Sequence, residues 1–98
     1  MKNINKVLSM LSPDYDIKTI DFERCIYKNY GHYDIEVSGL DNQKKNITGY
    51  IFIWNRLNGL KVIIKLKYDG IDNLIDLLHK VDSEDIDELI QRGECNCY

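Results

Sequence analysis

Proline is nearly absent from this chain, with Pro13 alone among 98 residues, and glycine occurs only six times. That composition leaves no room for a flexible or polyproline linker, so residues 1–98 are expected to form a single domain. No apolar run approaches the roughly 18 residues that a membrane-spanning helix requires. The opening Met1-Lys2-Asn3-Ile4-Asn5-Lys6 leads into a mixed segment, without an apolar stretch and cleavage site, so no signal peptide is expected. Cysteine is sparse and odd in number: Cys25, Cys95 and Cys97 make a poor disulfide framework, and a reducing, cytoplasmic setting in a bacterial host is the simpler expectation. Cys95 and Cys97 are separated by one residue, where structural zinc sites favour about two to four, so no metal is expected there. Glycine-rich phosphate loops and strained serine turns are missing as well. His32 falls in a turn and His79 on a polar helix face, where imidazoles are ordinarily solvated. An enzyme is therefore not expected, nor is a cofactor.

What is present is an ordinary globular composition, 44% hydrophobic and 30% charged, which excludes a disordered tail. The abundance of Ile, Asn, Lys, Asp and Tyr suggests an AT-rich coding sequence of bacterial or phage origin. The net charge of −3 is unevenly spread. Residues 69–98 carry nine acids against Lys80 and Arg92, a net of −7, whereas residues 1–68 carry seven acids and eleven bases, a net of +4. Such asymmetry points to a polar interaction surface, although acids also suit the first turns of helices.

Periodicity divides the chain. Ile4, Val7, Leu8 and Leu11 recur at helical spacing until Ser12-Pro13-Asp14 stops them, so residues 1–14 are expected to be a helix and turn. Residues 15–68 change to a period of two and are expected to form an antiparallel sheet. Ile20, Phe22 and Ile26 define a first strand with a bulge expected near Lys18-Thr19, because Ile17 is out of phase. Tyr33, Ile35 and Val37 begin a second after the turn Asn29-Tyr30-Gly31-His32. Ile47 to Trp54 is a third with two apolar faces, Ile47, Ile51 and Ile53 on one and Tyr50, Phe52 and Trp54 on the other; cover on both sides is expected. After Asn58-Gly59, residues 60–68 form a fourth. Residues 69–93 return to the helical period in two acidic helices. Ile71, Leu74, Ile75, Leu78 and Val81 stripe the first, and Asp82-Ser83 caps a second over residues 84–92. Residues 94–98 are a tail. The expected fold is α+β, in the order α-β-β-β-β-α-α, a four-stranded antiparallel meander with helices on one face.

Two surfaces are candidates for function. Tyr50, Phe52 and Trp54 share a sheet face with Lys61, Lys65 and Lys67, the mixture of stacking rings and cations that single-stranded nucleic acid or a protein partner would use. The net negative charge opposes the nucleic acid. The other surface is acidic. Asp72 and Asp76 lie at i, i+4 on one helix, and Glu84, Asp85, Asp87 and Glu88 crowd the start of the next.

Asn3-Ile4-Asn5, Val7-Leu8 and Asp14-Tyr15, then Tyr33-Asp34-Ile35-Glu36-Val37-Ser38-Gly39-Leu40-Asp41 with Ile47-Thr48, Ile51 and Asn55, resemble the start and first hairpin of a family of small phage-borne anti-CRISPR proteins. Those proteins inhibit type II effector nucleases by DNA mimicry. The resemblance implies carboxylates occupying the arginine-lined site where the nuclease reads a short duplex motif. By position it passes that role to Glu84, Asp85, Asp87 and Glu88. The family's acidic turn between its last two strands is replaced here by Asn58-Gly59-Leu60-Lys61, and an extra strand is expected near residues 19–27. An immunity protein or antitoxin that neutralises a nuclease toxin is the alternative reading, since it too would be small and acidic.

Overall fold

A computed structural model describes residues 2–56 and 61–83. Within them the order is α1 (Asn3–Leu8), β1 (Asp16–Ile20), β2 (Glu23–Tyr30), β3 (Tyr33–Val37), β4 (Thr48–Asn55), β5 (Lys61–Asp69) and α2 (Ile71–Ser83). The five strands form one antiparallel sheet in sequence order, β1-β2-β3-β4-β5. The α+β class and the meander are as the periodicity implies, but the strand count is five rather than four. The expected bulge near Lys18-Thr19 is instead a hairpin. Asp21 and Phe22 both adopt positive φ, 51° and 67°, and close a two-residue turn that pairs Ile20 with Glu23. Positive φ at both central positions matches the right-handed strand twist but ordinarily calls for Asn-Gly or Asp-Gly. Phe22 therefore sits on the turn and is 102% exposed instead of facing a core. The next hairpin is more conventional, with Gly31 at φ 62° in the turn between Tyr30 and Tyr33.

Alternation delivers one face of the sheet to the core. Ile17, Ile26, Val37, Ile51 and Leu66 stand opposite one another across the five strands, as do Ile35, Ile53 and Ile64. Ile4 and Val7 of α1 and Leu74, Leu78 and Val81 of α2 join the same buried cluster, so both helices lie on this face. Full burial of one such aliphatic side chain stabilises by about 1.5–3 kcal/mol, and this cluster carries most of the fold.

Helix ends are tied to the sheet. The first amides of α1 have no intrahelical acceptor, and Asn3 and Ile4 donate instead to the carbonyls of Asn42 and Leu40 at 2.8 and 2.9 Å. α2 begins after Gly70, whose φ of 89° only glycine adopts freely, and Asn73 Oδ1 reaches back to accept the Asp69 amide at 2.8 Å. Near its other end Asp82 accepts hydrogen bonds from Lys28 Nζ at 2.9 Å and from Tyr15 Oη at 3.1 Å. Lys28 lies opposite Ile35 on the core side, with its ammonium 4.9 Å from the Tyr15 ring centroid, and Asp82 is the anion that makes this tolerable. The expected last helix and tail, residues 84–98, lie outside the described residues. No described helix is long and apolar enough to cross a membrane.

Candidate functional site

The opposite face of the sheet is built differently. Among the described residues no helix packs on it, so the expected cover on both sides of β4 is not found there. The reason is that α1 and α2 both pack on the isoleucine side. Tyr50, Phe52 and Trp54 alternate along β4 and remain half-buried. Their rings follow one another at 5.9 and 6.3 Å between centroids, tilted by 35° and 44°. β5 places Lys65 opposite Phe52 and Lys67 opposite Tyr50, and the Lys65 ammonium lies 4.3 Å from the Tyr50 centroid. Lys61 is the exception to the expected set. The ladder slips between Ile53 and Trp54, so Val62 pairs with Trp54 and Lys61 with Asn55. A one-residue slip exchanges faces, which takes Lys61 out of the register that Lys65 and Lys67 share.

Across the other edge of the ring row the sheet carries acids. Asp16, Tyr27, Glu36 and Phe52 stand in one line across β1 to β4, and Asn29, Asp34 and Trp54 in another. Asp34 and Glu36 are each only 6% exposed. Asp34 is fully engaged: it accepts from Tyr27 Oη at 2.6 Å and Asn29 Nδ2 at 3.3 Å, and pairs with Arg56 Nε at 3.2 Å. Burial, then the Asp34 hydrogen bond and charge, push the Tyr27 phenol well above its ordinary value, so it stays a donor. Glu36 is not so well served. Its one hydrogen-bond donor among the described residues is the Trp54 indole, Nε1 to Oε1 at 3.2 Å. Burial raises its pKa, the Trp54 bond and the Lys18 charge oppose that, and Asp21 and Glu23 add to it.

Glu36 is part of the wall of a cleft of about 210 Å³ lined also by Lys18, Ile20, Tyr27 and Trp54. The Lys18 ammonium lies 4.5 Å from the Tyr27 ring centroid. The cleft thus joins two aromatic rings, a buried carboxylate and one exposed cation. Cys25 neighbours it on β2; it is free and buried, and burial pushes its thiol up to about 12, so it is a packing residue at neutral pH.

Of the residues singled out from sequence, Tyr50, Phe52, Trp54, Lys65 and Lys67 come together on this face. Asp72 and Asp76 are exposed on α2, across the sheet from it. Glu84, Asp85, Asp87 and Glu88 lie outside the described residues. Sequence reasoning missed Lys18, Tyr27, Asp34 and Glu36. A signal existed for the acids: alternation puts Asp34 and Glu36 opposite the isoleucine face, and a neighbouring β4 would bring them beside its rings. Comparison with protein-family models, with curated proteins and with solved structures found no match to this chain.

Proposed function

We propose that this protein is a binding module that acts by occupying a surface of another protein, and that its contact surface is the face of the sheet opposite α1 and α2. The observation that carries this is the contiguous row Tyr50, Phe52 and Trp54, half-buried beside two carboxylates that are almost wholly buried. Aromatic side chains anchor protein interfaces because they bury large areas while losing little rotamer freedom, and truncating one that is a central anchor costs about 2 kcal/mol or more. Asp34 is already paired with Arg56, so Glu36, with no ion pair among the described residues, sets the partner's sign. A basic protein suits it, and the expected role as inhibitor of a bacterial nuclease, a CRISPR effector above all, supplies a partner of that kind. The exposed acids of α2, Asp72 and Asp76, would favour its approach through the long-range field.

Affinity capture from a bacterial lysate, with identification of what is retained, tests this on matched variants. Tyr50→Ala with Phe52→Ala should lose the partner that the wild type holds. Charge reversal of Glu84, Asp85, Asp87 and Glu88 should slow association without abolishing binding. The opposite pattern, retention by the aromatic variant and loss by the charge reversal, would transfer the interface to the acidic segment and favour DNA mimicry. Single-stranded nucleic acid is the second reading, favoured by Lys65 over Tyr50 and Phe52 and by Lys67 beside them. Asp34 and Glu36 oppose phosphates on the same face, and a salt-sensitive gel shift that needs Tyr50 and Phe52 would overrule that objection.

A further inference from the structure

Asp34 and Glu36 are neighbours on one strand face and equally buried, yet they are served unequally. Asp34 has a phenol, an amide and the Arg56 guanidinium. Glu36 has one indole N–H and no ion pair among the described residues. A buried carboxylate can accept about four hydrogen bonds, and an ionised one needs a cation to offset its lost hydration. The unused capacity of Glu36 adjoins the cleft, whose walls include the Tyr27 and Trp54 rings. Ring faces attract cations, and the Lys18 ammonium above Tyr27 shows the attraction operating at the cleft itself.

We propose that this cleft is a receptor for a guanidinium group, with Tyr27 and Trp54 flanking the cation, Glu36 pairing with it, and Lys18 as the resident charge that it displaces. The occupant is an arginine side chain of the bound protein; only this choice of source rests on the protein-binding reading above. The pairing of Arg56 with Asp34 provides an internal precedent on the same face. An anion would meet Glu36 with Asp21 and Glu23 nearby, all three acting in the same direction on the local charge. A neutral apolar group would bring the buried carboxylate neither a charge nor a hydrogen-bond donor. Guanidinium is preferred to ammonium because its plane stacks on aromatic faces and its donors match a carboxylate side by side.

Trp54 is the chain's one tryptophan, so its emission reports on the cleft without interference. The full chain is titrated at neutral pH and low salt with a blocked Gly-Arg-Gly peptide and with its citrulline counterpart, which keeps the shape and loses the charge. A saturable change is expected with arginine, at least tenfold weaker with citrulline. Lys18→Ala should tighten arginine binding severalfold by removing the competitor. Glu36→Gln should weaken it at least tenfold while circular dichroism shows the same fold. No saturable response, equal responses to the two peptides, undiminished binding by Glu36→Gln, or weaker binding by Lys18→Ala would each overturn the proposal. Such a failure, with capture of the partner still dependent on Tyr50 and Phe52, removes the guanidinium site and leaves the binding face. Success here with a partner indifferent to those rings does the reverse.

Discussion

Replacing Glu36 by glutamine should make the protein more stable at neutral pH, although it removes the residue on which the proposed cation site depends. The side chain is 6% exposed, and among the described residues its carboxylate accepts one hydrogen bond, from Trp54 at 3.2 Å. Glutamine keeps the oxygen that accepts this bond and removes the charge, while its amide N–H groups adjoin the cleft. An under-satisfied buried polar group costs about 1–3 kcal/mol, more when charged. Allowing for the amide's own desolvation, the gain is about 1 kcal/mol, or about 4–8 °C in Tm for a domain near this size. The pH dependence is more diagnostic than the size. Because the folded-state pKa of Glu36 is raised above the ordinary 4.5, the folded protein holds a proton that the unfolded chain has already lost. Wild-type stability therefore falls, relative to the variant, as pH rises from about that ordinary value to the elevated folded one, and is then level. The advantage of Glu36→Gln should vanish below pH 4.5 and widen above it. Urea unfolding from about pH 3.5 to 8, followed by circular dichroism, measures both proteins; other carboxylates titrate in each and largely cancel in the difference. A variant less stable than wild type at pH 7, or an advantage independent of pH, would refute the account of Glu36 as a buried charge that its surroundings offset only in part.

Phe22→Gly should stabilise the protein by about 0.5–1 kcal/mol, because the ring makes no packing contribution when fully exposed and its φ of 67° is costly for a bulky residue; an unchanged or lower urea midpoint would show that the turn carries no strain. Gly49→Ala should destabilise by up to about 3 kcal/mol, since the new Cβ would lie 2.5 Å from the Ser38 carbonyl oxygen and 2.7 Å from Tyr68 Oη. Tyr68 Oη also donates to the Ser38 carbonyl, so Tyr68→Phe should destabilise by itself but cost less in the Gly49→Ala background than in the wild type; equal costs in the two backgrounds would show that the hydroxyl takes no part in the clash. Asp41 is held at about 2 by the Lys2 hydrogen bond, then the Arg24 amide and side chain, so it stabilises above its ordinary 3.8 and that contribution disappears as pH falls towards 2. Asp41→Asn should accordingly lower Tm at pH 7, with the deficit closing under acid in a series of thermal melts.

The helix of residues 3–8, the stripe of Leu74, Leu78 and Val81 and the alternation in β3 and β4 were legible in the sequence, because each depends on spacing within one element. The aromatic face was legible for the same reason: alternation by itself puts Tyr50, Phe52 and Trp54 on one side of β4. The hairpin at Asp21-Phe22 was not, since a positive φ favours Asp at the first position but glycine, not phenylalanine, at the second, and a period of two reads alike through a bend and a turn. The slip that moves Lys61 out of register is likewise invisible, because it depends on how β5 pairs with β4 rather than on the order of either. Nor could local pattern reveal that two acids on one strand have unequal fates. Asp34 meets Tyr27, Asn29 and Arg56 while Glu36 meets only Trp54 among the described residues, and these partners come from neighbouring strands and the chain just beyond β4. Side-chain direction is a property of the local backbone, so sequence can decide it. Which charge faces which ring is set by strand register, and register is settled by the turns and the packed core acting together.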